Sequence, residues 1–395
     1  MAPSQATHTP SLEKLVKSLK GQSLEASIEA LIFLLKRRQV KGDECAQATA
    51  HILRQVVAKA RWQDVDQLLS QIQSAGSRLA RAAPHEPVIG NIVRRVLGLI
   101  RDERQATIPI RPSPAVLTST AGLQVSKSMF NLLSVAEPDG SPMTGGSTPL
   151  SQATQPTSVH TLRSEVMDGI EEIMDEIGQA DDQIASFADI QIHPGDFVLA
   201  YQPSKTVERF LIKAASRRRF TLFIAGLEPF TNGTSDAPYA TLRKKLSAAG
   251  VNTISLSSNG LMAYIPRVNK VILGAKAVYQ NGGLLVDSGC CIAAQVAHEY
   301  LKPVIALSPV YKFCPEDPSY DVSRGWLGNP STYVSYGNGP EVDAIVVENT
   351  VTDYIPPELV DVYLTNLGPQ TRHHIASILA DHYKTEDLAF SMQLD

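Results

Sequence analysis

From residue 197 onward, short β-rich apolar runs alternate with stretches of helical period, and this alternation constrains the fold more than any other feature. The runs are Phe197–Ala200, Thr221–Ala225, Asn252–Leu256, Lys270–Gly274, Val304–Leu307 and Ala344–Glu348. Between them, Thr206–Ser216, Thr241–Ala249, Asn259–Tyr264 and Cys291–Tyr300 carry the helical spacing. Strands of this length joined by helices require a parallel sheet with helices on both faces. The expected fold is α/β: an N-terminal helical domain followed by a Rossmann-like, doubly wound parallel sheet domain.

The first part of the chain has a different period. Leu24, Ile28, Leu31 and Leu35, then Cys45, Ala48, Ile52 and Val56, then Val65, Leu68 and Ile72, then Val88, Ile92, Val96 and Ile100 recur at the helical interval. Ser23, Asp43 and Pro87 stand near the starts of these segments, where a capping oxygen or a fixed φ helps. Residues 1–104 therefore read as an antiparallel domain of four or five helices. In residues 105–160, 27 of 56 positions are Ser, Thr, Pro or Gly, a composition that cannot offset its ordering entropy by apolar burial. This stretch reads as a mobile linker, apart from a short apolar patch at Met129–Leu133. Residues 161–395 then form the third part, opened by an acidic helical stretch from Leu162 to Ile184.

The net charge of -4 divides into +6 over residues 1–104 and -10 over 161–395. Six positive charges spread over several helices lack the dense basic clusters interleaved with aromatics of a nucleic-acid face. No stretch reaches the roughly 20 apolar residues that span a bilayer, and the N-terminus lacks a secretory layout. The expectation is a cytosolic chain with no nucleic-acid or membrane partner. Cys45, Cys290, Cys291 and Cys314 have neither zinc-ligand spacing nor disulfide geometry and read as reduced thiols.

Neither a G-x-G-x-x-G after the first strand nor a Walker-type loop occurs, so no cofactor is expected. In a doubly wound sheet the default crevice lies at the carboxyl ends of the strands. That rule selects Tyr201-Gln202-Pro203-Ser204-Lys205, Gly226-Leu227-Glu228-Pro229, Gly274-Ala275-Lys276 and Asn281-Gly282-Gly283, with Asp287 just beyond. These loops are expected to converge. The glycine turn and Asp287-Ser288-Gly289 before the helix at Cys291 fit either an anion site at a helix N-terminus or a tight turn with a cap, the latter favoured. His373, His374 and His382 lack an acidic companion set, so no metal is expected. Tyr354–Leu359 reads as a rigid turn into a helix.

At these loops the sequence resembles the family that unites methylthioribose-1-phosphate and ribose bisphosphate isomerases with the alpha, beta and delta regulatory subunits of translation initiation factor two B. The phrases RVNKVILGAKAVYQNGG, KPVIALSPVYKF and DYIPPELVDVYLTNLG carry the likeness, and IGNIVRRVLGLIRDE and MFNLLS point to the beta-type regulatory branch rather than to the enzymes. The likeness covers essentially the whole chain. Where the isomerases have their catalytic cysteine this chain has Gln202, and their acid–base aspartate falls on Gly283. Their Gly-Ala-Asp becomes Gly274-Ala275-Lys276, and their Glu-x-Arg-Pro becomes Gly226-Leu227-Glu228-Pro229.

The resemblance thus implies a non-catalytic regulatory subunit of the guanine-nucleotide exchange factor for initiation factor two. Tyr201, Gln202, Ser204, Lys205, Glu228, Lys276, Asn281, Gly283 and Asp287 would line a vestigial pocket. It also implies the other subunits of the factor as partners, delta foremost, with alpha, gamma and epsilon, in a decamer holding two copies of each. The alpha subunit of initiation factor two, especially when phosphorylated, is a further implied partner. The alternative is a sugar-phosphate isomerase with relocated catalytic groups, for which Asp287, Glu228 and Lys205 are the only candidates.

Overall fold

The computed structural model describes residues 23–40, 42–106, 159–226, 239–318, 326–334, 337, 339, 341–388 and 390. Most of the expected linker, the patch at 129–133, and Leu227, Glu228 and Pro229 lie outside the described residues.

The helical part opens with α1 (Leu24–Lys36), α2 (Asp43–Lys59), α3 (Val65–Ala82) and α4 (Val88–Ala106). Ser23 caps α1, its hydroxyl accepting from the Ala26 amide at 3.4 Å, which satisfies one of the first-turn donors a helix leaves open. The apolar positions picked by period are the buried ones: Leu31, Cys45, Ile52, Leu68, Ile72, Ile92 and Ile100 are fully buried in one core.

The long helix α5 (Val159–Ser186) follows. Its Leu162, Val166, Ile170, Ile173, Ile177 and Ala180 join that same helical core, at intervals of three and four that place them on one face. Only its last turns, at Ile184, reach the sheet. A division at residue 161 therefore separates α5 in sequence from the bundle it packs on.

Beyond α5 come β1 (Phe197–Tyr201), α6 (Lys205–Ala215), β2 (Thr221–Ala225), α7 (Ala240–Ala248), β3 (Asn252–Ser255), β4 (Lys270–Gly274), β5 (Ala277–Tyr279), β6 (Leu284–Asp287), α8 (Cys290–Glu299), β7 (Val304–Leu307), β8 (Phe313–Cys314), β9 (Thr352–Ile355), β10 (Val362–Thr365), β11 (Gly368–Gln370) and α9 (Ile375–His382). The main sheet runs β11-β10-β7-β4-β1-β2-β3. All its pairings are parallel except β10 with β11. Without β11 this is the doubly wound order, reversing between β1 and β4.

The two-residue period of a strand sorts its side chains between the layers. Val198 and Ala200 of β1 face the core shared with α6 and α7. Leu199 and Tyr201 face the core shared with α8 and α9. A second sheet, β8-β5-β6-β9, folds over the end of the first.

Three expectations are corrected. Ala344–Glu348 is no strand: Ile345 and Val346 are 50% and 90% exposed, and the sixth parallel strand is β10. Tyr354–Leu359 leads through a single 3₁₀ turn, Pro357–Leu359, into that strand rather than into a helix. Asn259–Tyr264 holds only one α-turn, Leu261–Tyr264, entered from a 3₁₀ turn.

The two parts are packed and stitched together. Tyr311, 1% exposed, belongs to the helical core although it follows β7. Its carbonyl accepts from Asn91 Nδ2 at 3.2 Å, and the buried Arg94 pairs with Glu316.

Candidate functional site

At the switch between β1 and β4 the loops that follow the strands lie against one another. Gly274 at the end of β4 lies so close to Ser204 that a Cβ there would overlap the serine side chain. Ser204 is the cap of α6, its hydroxyl accepting from the Val207 amide at 3.5 Å. The chain reaches that cap through Gln202, whose φ of 42° is a left-handed conformation uncommon for a residue with a side chain. Gln202 Nε2 sits 3.5 Å from the Gly226 carbonyl, its amide turned to the neighbouring loop.

Tyr201 fills the space between these loops. It is 4% exposed, and its hydroxyl lies 3.0 Å from Ser258 Oγ. Its ring closes on Gly226 and on Gly289, where an added Cβ would stand 2.9 Å and 2.7 Å from the nearest ring carbons. Gly226 and Gly289 also have φ of +80° and +89°, so glycine is required there on both counts. The loops after β1, β2 and β3 and the entry to α8 thus meet around one tyrosine ring.

The Asn281-Gly282-Gly283 turn is gripped by a different pair of tyrosines. Asn281 Oδ1 accepts from the Gly283 amide at 2.8 Å and its Nδ2 donates to Tyr354 Oη at 2.9 Å. Tyr363 Oη donates to the Gly282 carbonyl at 2.6 Å. A Cβ on Gly283 would stand 2.5 Å from Tyr354 Cζ, so the tyrosine occupies the volume an acidic side chain at 283 would need. The arrangement is a tight turn inside a hairpin, since β5 and β6 pair antiparallel across it. At the start of α8 the Gly289 amide donates to Asp353 Oδ2 at 2.6 Å. The protein's own carboxylate thus holds the position an external anion would seek at a helix N-terminus.

Of the two lysines expected in the crevice, Lys205 is turned away from it. Lys205 turns to the helical part and pairs with Glu44 at 2.8 Å and Asp43 at 3.9 Å. Burial disfavours its charge, but the Glu44 hydrogen bond together with the charges of Asp43 and Glu44 outweighs it, and its pKa lies above the usual lysine value. The reason is placement: Lys205 begins α6, beside the acidic start of α2. Lys276 pairs with Asp287 at 2.6 Å.

Cys45, Cys290, Cys291 and Cys314 are free, and all but Cys291 are buried. Burial raises the pKa of Cys290 well above the thiol range, helped by Asp287 and Asp353, which disfavours a thiolate nucleophile. Among the described residues, no three His, Cys, Asp or Glu side chains gather as a metal site, and no helix is long and apolar enough to cross a membrane. Tyr354, Tyr363 and Asp353 were not among the residues selected from sequence. Tyr354 lies 73 positions from Asn281, so no local spacing signals that contact.

Residues 39–371 match the initiation factor 2 subunit family. A protein of Schizosaccharomyces pombe named translation initiation factor eIF2B subunit beta is 33% identical over 91% of this chain and 96% of its own length. A Dictyostelium discoideum protein of the same name is 29% identical with the same shares covered. The crystal structure of eIF2B beta from Chaetomium thermophilum is 67% identical, with a TM-score of 0.75, over 98% of this chain and all of that one. A chain in the tetrameric eIF2B beta2-delta2 complex of the same organism is 64% identical, with a TM-score of 0.74, over 95% of this chain and all of that one. The eIF2B delta structure, at 16% identity and a TM-score of 0.55, shares the fold. A helical bundle, a doubly wound sheet and a sequence matched over most of its length agree: the chain belongs to the initiation factor 2 subunit family.

Proposed function

We propose that this chain is a non-catalytic regulatory subunit of the guanine-nucleotide exchange factor that recycles GDP-bound initiation factor two. In this reading it helps assemble the complex and sense phosphorylation of the alpha subunit of initiation factor two. The likeness to eIF2B beta over nearly the whole chain carries the proposal. The crevice supports it. An isomerase of this family would need a thiol at position 202 and an acid at 283. Here an amide stands at 202, and Tyr354 fills the space beside Gly283.

The delta subunit is the proposed immediate partner, by analogy with the beta2-delta2 complex of the 64% identical relative. Alpha, gamma and epsilon subunits complete the proposed cytosolic decamer. Ile292, Leu327, Tyr333, Ile345 and Val346 expose between 50% and 90% of their surface. Apolar side chains of this size are suited to an obligate interface rather than to water.

Native mass spectrometry of the assembly recovered with this chain from its own cells tests the reading. Recovery with four other kinds of subunit, two copies of each, is the expected outcome. A solitary homodimer would refute it.

A further inference from the structure

The last described residues bridge the two parts of the molecule. Tyr383 ends in the sheet domain, buried in its core with its hydroxyl donating to the Phe313 carbonyl at 2.8 Å. Phe390, seven residues on, packs against the helical core, and its carbonyl accepts from Arg94 Nη2 at 2.6 Å. Between them Asp387, its side chain 0% exposed, receives Arg101 Nη2 and Nε, each at 3.0 Å. Glu386 pairs with Arg101 at 2.8 Å and Lys384 with Asp102 at 2.7 Å.

Arg94 and Arg101 are two turns apart on α4, so one face of that helix meets the whole segment. A carboxylate and a guanidinium are both withdrawn from water here. Burial of charge is tolerated only while each keeps its partner. Such a segment holds firmly when seated and loses much when displaced. Beside it lies a cleft of about 400 Å³ between α4, α5 and α9, lined among others by Arg95, Gly98, Gly169, Glu176, His382 and Lys384.

We infer that residues 384–388 and Phe390 form a strap that fixes the orientation of the helical bundle on the sheet domain. Its latches are Asp387 on Arg101 and the Phe390 ring on Arg94 and the helical core. Release of the strap frees α4 on that side and widens the cleft, because Lys384 is both part of the strap and part of the cleft wall. The remaining links, through α5, Tyr311 and the buried Arg94–Glu316 pair, act as the hinge. This inference stands apart from the regulatory reading and concerns the chain alone.

Hydrogen–deuterium exchange of the full chain tests it, comparing the native sequence with Asp387→Ala, Phe390→Ala and Lys205→Ala. Both latch variants are expected to exchange about tenfold faster in peptides covering α4 and the loop after β8, with β1 and β2 unchanged. Lys205→Ala, which cuts an exposed ion pair elsewhere between the two parts, is expected to match the native protein. Native exchange rates in both latch variants would overturn the inference, as would equal acceleration in β1 and β2, which would mean a general loss of stability. Should Asp387→Ala fail to fold, Phe390→Ala decides alone.

Discussion

At the scale of single residues, an amide stands at position 202 and Tyr354 fills the space beside Gly283. Reintroducing an acid at 283 places a carboxyl against the Tyr354 ring. Gly283→Asp is expected to cost about 2 kcal/mol of stability in urea titrations. Combined with Gln202→Cys it is expected to give no turnover of a ribose phosphate. Burial also sets the response to alkali. It lifts the Cys314 thiol from its usual 9.0 to about 12, with the Glu316 charge adding to the effect, and lifts Tyr383 above its usual value. The unfolded thiol ionises near pH 9 while the folded one resists to about 12. This stabilisation is therefore complete below about pH 9 and is lost as the pH rises through that window, by about 1.4 kcal/mol per unit for each such group. Urea midpoints at about pH 8 and 10.5 check the sign: the second is expected to be lower.

Among the elements, the contacts of α6 separate strong links from weak ones. Thr206 donates to Asp181 at 2.8 Å and Arg209 approaches the same carboxylate at 3.6 Å. Asp181 is buried, so Asp181→Ala is expected to destabilise by about 2 kcal/mol. Lys205 is 62% exposed in its side chain, and Lys205→Ala is expected to cost less than about 1 kcal/mol. Paired denaturation curves distinguish the two.

The same scale explains what could be read from sequence. Five of the six parallel strands were legible: in β1, β2, β4 and β7 the apolar runs are buried on both faces, which a continuous run records, whereas β3, at the sheet edge, is largely exposed. Ala344–Glu348 offered a run of similar strength, yet its Ile345 and Val346 face outward. The smaller sheet was not legible, since β5, β6, β8 and β9 are two to four residues long and, the β5–β6 hairpin apart, pair across distant parts of the chain. The loops of the crevice followed from strand order alone. Their occupants, Tyr354 and Asp353, did not, because the contacts that seat them span 73 and 64 positions.

For the whole molecule, a helical bundle and a doubly wound sheet share α5, Tyr311 and a C-terminal strap, and the crevice of the sheet is packed with tyrosine. That construction suits a part that transmits position between partners. On the proposed function, this chain regulates nucleotide exchange on initiation factor two without catalysing it. The most direct measurement is GDP release from initiation factor two by the reconstituted five-subunit factor, with this chain present or omitted, on unmodified substrate and with the phosphorylated alpha subunit added. The account predicts that omission weakens assembly and exchange and removes inhibition by the phosphorylated form. Unchanged exchange and unchanged inhibition without this chain would contradict it.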